Sequence, residues 1–174
     1  MRVFNQHKLQ ISKPAAEVGK LLDSLASERD QLWPLENWPK IYFDRPLQVG
    51  AHGGHSPIQY EITNYIPQEF IQFKFIAPAG FVGIHYFKIE TLDANRCEIS
   101  HTIEMNVTGK GIITWHIAIL YLHNALIRDL FAKAEASLGI EPTNHPWNPW
   151  VKVLRWCLSG GRGKPQQPAV LGAN

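Results

Sequence analysis

Between Ile58 and Val107 the chain alternates apolar with polar residues in four successive runs, and this restricts its fold more than any other feature. Ile58, Tyr60 and Ile62 alternate with Gln59, Glu61 and Thr63. Ile71, Phe73 and Phe75 alternate with Gln72 and Lys74. Phe81, Gly83, His85, Phe87 and Ile89 share one parity, with Lys88 and Glu90 on the other. Ile99, His101, Ile103, Met105 and Val107 alternate with Glu98, Ser100, Thr102 and Glu104. A period of two sends successive side chains to opposite faces, so each run reads as a strand with one greasy side. The links Tyr65–Gln68, Pro78–Gly80 and Asp93–Asn95 are short and carry turn residues, so consecutive strands pair antiparallel.

The period then changes. Ile112, His116, Ile119, Leu120, His123, Leu126, Ile127, Leu130 and Ala134 recur at helical spacing, with Arg128, Asp129, Lys133 and Glu135 away from that stripe. The spacing predicts one helix over Ile112 to Leu138, about 40 Å long at 1.5 Å per residue, ended by Gly139. Upstream, Val3 to Ile11 reads as a strand. Ser12 and Pro14 suit the start of a helix carrying Val18, Leu21, Leu22 and Leu25. Trp33-Pro34 and Trp38-Pro39 punctuate a loop that leads to a brief strand near Ile41 to Phe43, and Gly50 to Ser56 reads as a flexible turn. A sheet with one greasy face and a helix with one greasy stripe hide both by lying against each other. The expected fold is therefore α+β: a curved antiparallel sheet wrapped around a long C-terminal helix, with an apolar pocket between them. Eight Phe, six Trp and five Tyr provide the bulk to wall such a pocket.

The order of elements resembles the START-like (SRPBCC) superfamily, which has the helix-grip fold and includes lipid-transfer domains, aromatic polyketide cyclases and plant pathogenesis-related proteins. The marks are the opening strand with Ser12-Lys13-Pro14 and its helix, the Trp38-Pro39 region, the strands from Ile58 to Val107 and the closing helix. The resemblance covers residues 1–139 and implies a pocket for a hydrophobic small molecule between sheet and helix. It carries over no catalytic residue. Residues 140–174 form a Trp-rich, basic extension outside that pattern. Asn148-Pro149 suits a helix start there, with Trp150, Val153, Leu154, Cys157 and Leu158 on one side. Gly160-Gly161 would stop that helix, and disorder is expected after Arg162.

Histidine at core-facing parity is the unusual chemistry. His85 and His101 lie on the apolar faces of adjacent strands, and His116 and His123 lie on the apolar stripe of the helix. Facing one pocket, they would offer neutral hydrogen-bonding groups or a general base. With them, Tyr60, Phe73, Phe75, Phe87 and Trp115 make up the expected ligand-binding set, Phe73 and Phe75 being the foremost wall residues. His52 and His55 fall where a mobile turn would border the mouth. Cys97 reads as a small core residue. No metal is expected: His116 and His123 stand about 10 Å apart along a helix, too far for one ion. No cofactor motif is present, since neither Gly50–Gly54 nor Thr108–Gly111 has dinucleotide or P-loop spacing. Glu61, Glu90, Glu98 and Glu104 fall on the polar parity, so a facing carboxylate pair for glycoside hydrolysis is missing.

Charge is divided unevenly. The 17 basic and 15 acidic residues split into 13 against 15 through Glu141 and four against none beyond it. Such a body lacks the basic footprint of a nucleic-acid binder. Met1 to Ser12 has no apolar run of the export type, so two free thiols in a cytoplasmic protein are expected. Three functions fit: binding or transport of a hydrophobic or amphipathic small molecule, a cyclase- or hydratase-type enzyme with a pocket histidine as base, or an interaction protein. The last would use residues 147–158 on a membrane or in a homodimer.

Overall fold

In the computed structural model, which describes residues 1–55 and 57–159, seven strands form one antiparallel sheet. They are β1 (Arg2–Ile11), β2 (Tyr42–Phe43), β3 (His52–His55), β4 (Ile58–Ile66), β5 (Phe70–Ala77), β6 (Phe81–Asp93) and β7 (Arg96–Val107), in the order β1-β7-β6-β5-β4-β3-β2. The four alternating runs are the consecutive hairpins β4 to β7, as their short links require. The first strand travels furthest: β1 crosses the molecule to pair with β7, placing His7 opposite His101. This is the sheet of a helix grip, and the closing helix lies across its greasy face.

That helix runs without a break through α2 (Lys110–Thr114), a π-helical turn (Trp115–Ile119) and α3 (Leu120–Ser137). Its apolar stripe buries Trp115, Leu126, Ile127 and Leu130. Glu135, expected away from the stripe, is buried and accepts from both the backbone N–H and the hydroxyl of Thr143. It thereby ties the extension to the body.

Two local expectations are corrected. Ser12 caps nothing: α1 (Ala15–Asp23) begins after Pro14, which itself occupies the cap position without a side-chain bond. The segment Gly50–Ser56 is no simple turn, because its residues His52–His55 are β3, laid between β2 and β4. Glycine disfavours strands in general, but here the neighbouring backbones come too close for any side chain. A Cβ at Gly53 would fall on the Tyr42 carbonyl oxygen.

The extension continues into α4 (Pro149–Leu158), whose cap Asn148 accepts from the Val151 N–H. It is docked on the body: Val151 is buried, and the Trp150 indole donates to the Ile117 carbonyl. The expected stop at Gly160-Gly161 and the disorder expected after Arg162 lie outside the described residues. No helix among the described residues is long and apolar enough to cross a membrane.

Candidate functional site

Between the concave face of the sheet and the closing helix lies a cavity of about 510 Å³. Its size is that of a small-molecule site. Sheet side chains at inward parity form the floor, the helix forms one wall, and the segment Trp33–Ile41 with α4 forms the rim. Of the residues singled out from sequence, Tyr60, Phe73, Phe75, His85, Phe87, His101, Trp115 and His123 line it.

His116 does not. It is exposed, with Nε2 3.1 Å from the Met1 sulfur. The π-helical turn is the reason. In a regular α-helix, residues seven apart share a face, and a π turn adds one residue to the turn. The phase slips by about 100°, so Trp115, eight before His123, shares its face, and His116 is turned to solvent. His52 also faces outward, whereas His55 lines the cavity beside Trp33 and Tyr60. Cys97 is buried outside the cavity, with its thiol pushed up by burial. Cys157 reaches the rim.

One aromatic wall is continuous. Tyr60 meets Phe73 edge-on at 4.9 Å, Phe43 stacks on Phe73 at 6.0 Å, and the His85 ring stacks on Phe73 at 4.7 Å and lies tilted to Phe75 at 4.9 Å. Register explains the stack, because Phe73 pairs with His85 across β5 and β6.

The histidines form a file. His85 Nδ1 lies 3.3 Å from His101 Nε2. The His101 and His123 rings are 4.9 Å apart, and His123 and His7 are 5.8 Å apart. His7 ends the file with Nε2 2.9 Å from Asn124 Oδ1. Its role was legible: His7 has the odd parity of Val3, Leu9 and Ile11, which face inward. Arg155 and Trp38 at the rim carried no comparable signal, since nothing in sequence places α4 against the Trp33–Ile41 segment.

Burial keeps these rings neutral. It holds His85 and His101 well below the ordinary value, with weaker repulsion from neighbouring imidazoles in the same direction. It lowers His55 to about 4 and His123 to about 3. Those two keep some ring area open, but it faces the cavity rather than bulk solvent, so protein still encloses them. Asn124 slightly favours the charged form of His123, yet neither nitrogen of that ring makes a hydrogen bond of ordinary geometry. The Tyr60 phenol is raised by burial and stays protonated.

A pair of neutral imidazoles joined by one hydrogen bond has a fixed remainder. If His85 Nδ1 donates, His85 Nε2 is left an acceptor and His101 Nδ1 a donor; if His101 Nε2 donates, the two roles exchange. Both remaining nitrogens are buried and find no partner among the described residues. Buried polar atoms normally have one, and these two are covered by the protein rather than open to the cavity, so the pair is a polar spot behind the aromatic wall. Among the described residues, no cluster of three or more His, Cys, Asp or Glu has the arrangement of a metal site.

No family model matches the sequence, and no curated protein does. Solved structures do. Norcoclaurine synthase from Thalictrum flavum, in complex with dopamine and hydroxybenzaldehyde, superposes with a TM-score of 0.61 at 13% identity, covering 82% of this chain and 90% of that one. A point mutant of the same enzyme with a transition-state analogue gives 0.61 at 14%, covering 80% and 96%. A Thermobifida fusca protein solved by NMR in solution gives 0.57 at 12%, covering 82% and 99%. At such identities the likeness concerns fold alone, and the fold is the helix grip.

Proposed function

We propose that this chain, with the helix-grip fold it shares with norcoclaurine synthase, binds a hydrophobic or amphipathic small molecule between its sheet and its closing helix. The carrying observation is the cavity itself: about 510 Å³, walled by aromatic rings, with four neutral histidines contributing to its lining. A ring-bearing or acyl body with one or two polar atoms matches that lining. Exchange takes place at the rim beside α4, where Ile113, Ile117, Val153, Trp156 and Leu158 are exposed. A membrane or a second copy that delivers ligand would meet the protein there, through residues 147–158. Native mass spectrometry of the protein as purified, followed by displacement of a fluorescent apolar probe, tests the reading. A bound small molecule, or saturable probe binding lost on filling the cavity with Ala118→Trp, is expected. Absence of both in well-folded protein would refute it.

A second reading is catalysis, and the His85–His101 pair favours it. Once a bound ligand displaces the side chains that cover the two outer nitrogens, exchange of tautomers takes a proton at His85 Nε2 and returns one at His101 Nδ1, or the reverse, without charging either ring at the end. Norcoclaurine synthase is an enzyme on this fold, so the fold accommodates chemistry. Turnover of a bound ligand that vanishes in His85→Phe with binding retained would establish catalysis over transport.

A further inference from the structure

Arg155 projects from α4 to the cavity rim, and the cavity reading alone gives it no task. Its guanidinium lies over the Trp38 ring at 4.8 Å, and Nη2 donates to the Asn37 carbonyl at 2.6 Å. Nε is buried and finds no acceptor among the described residues. A guanidinium half drawn out of water in this way gains from a nearby negative charge. The nearest acid is Asp129, which exerts some attraction on it. Asp129 Oδ2, however, already accepts from the indoles of Trp38 at 2.7 Å and Trp147 at 3.0 Å, and lies 3.5 Å from Asn37 Nδ2.

The lining points the same way. Among the described residues, no Asp or Glu contributes to the cavity wall, and the fixed charges there are the cations Lys110 and Arg155. The remaining titratable side chains there are four neutral histidines, Tyr60 and Cys157. A cationic ligand would find no counter-charge, and burying an unpaired cation is costly. An anionic head at the rim would pair with Arg155, which makes no ion pair among the described residues, in the planar fork geometry that guanidinium offers a carboxylate.

We propose that the ligand is an amphipathic carboxylate, with its apolar body in the aromatic cavity and its carboxylate held by Arg155 at the rim. This rests on the cavity-binding reading and adds the charge and polarity of the ligand. It also gives the extension a purpose, because α4 brings the recognising group to a pocket that residues 1–139 already enclose on the other sides.

The test uses the full chain and two matched probe pairs: dodecanoate against dodecanol, and 1-naphthaleneacetate against its methyl ester. Affinities are measured by displacement of a fluorescent apolar probe at pH 7.5. Each acid should bind at least about tenfold more tightly than its neutral partner, the range expected for a charge-assisted hydrogen bond. Arg155→Gln should erase that preference by weakening the acids at least about tenfold more than their neutral partners, and Arg155→Lys should retain part of it. Lys152→Gln, on the same helix but outside the cavity, should leave it intact. Equal affinity within both pairs, or a loss in Arg155→Gln that is the same for acid and neutral probes, would overturn the assignment of the head group. The neutral probes still binding in that case would leave the cavity reading standing, whereas failure of all four probes would strike both. If Arg155→Gln does not fold, the Arg155→Lys and Lys152→Gln comparison decides the matter on the wild-type background.

Discussion

Acidification should destabilise this protein at a pH where most folded domains are still comfortable, and the buried histidines set the size of the effect. His85 and His101 are 8% and 3% exposed, and burial holds both well below the value of 6.5 that they have when unfolded. A base whose pKa is lowered by folding binds more protons in the unfolded chain. The stability associated with keeping it neutral is fully present above pH 6.5 and is lost as pH falls below that value toward the folded pKa. Each such group costs about 1.4 kcal/mol per pH unit over that window, so two of them remove about 4 kcal/mol between pH 6.5 and pH 5. His55 and His123, lowered to about 4 and about 3, add to the loss in the same window. Against a total stability of about 5–15 kcal/mol this is a large share. The assay is urea denaturation at pH 7.5, 6.5, 5.5 and 5.0. With a slope of about 2 kcal/mol per molar urea, the midpoint should fall by at least about 2 M, the share of His85 and His101 alone. The lowered carboxylates Glu36, Asp44, Glu90 and Asp93 lose their contributions only in more acidic solution, so they do not imitate the effect above pH 5. His101→Leu should flatten the dependence by about half of the two-histidine share. A midpoint that stays within about 0.5 M from pH 7.5 to 5.0 would show that these rings are already hydrated or charged, and the account of a dry histidine file would be wrong.

Two substitutions examine how the rim and the sheet edge are built. Asp129→Ala leaves the indole N–H groups of Trp38 and Trp147 without their shared acceptor; a loss of about 2–4 kcal/mol in denaturant unfolding is expected, with a blue-shifted or broadened tryptophan emission as the rim loosens. A loss below 0.5 kcal/mol would mean that water replaces the carboxylate readily. Gly53→Val forces a side chain onto the Tyr42 carbonyl and should detach β2 from β3; proteolytic cleavage near residues 42–55 should become faster by more than tenfold, while a cleavage pattern identical to wild type would contradict the close approach.

The sequence by itself determined the sheet from β4 to β7, the long helix and the inward set on them, because period two and period 3.6 are local consequences of which side of an element is buried. Parity placed His85, His101, Phe73 and Phe75 before any contact was known, and it placed His7 as well for anyone who carried it into β1. His116 shows where that reasoning ends. A helix pattern assumes constant phase, and the π-helical turn at Trp115–Ile119 breaks it without a marker such as proline or glycine, so only the folded helix decides which residues share the face of His123. β3 shows the same limit from the other direction. Its glycines read as a turn because local propensity says so, yet they lie in a strand between β2 and β4, whose backbones approach too closely to leave room for a side chain. The rim was the least legible part. Trp38, Asp129, Trp147 and Arg155 are spread over more than a hundred residues and follow no period. Their meeting depends on α4 folding back across the mouth, held by Glu135 to Thr143 and by Asp129 to two indoles. Periodicity reports burial, which each element encodes for itself. The partner that an element is buried against, and the charge it brings to a cavity, are properties of the assembled chain.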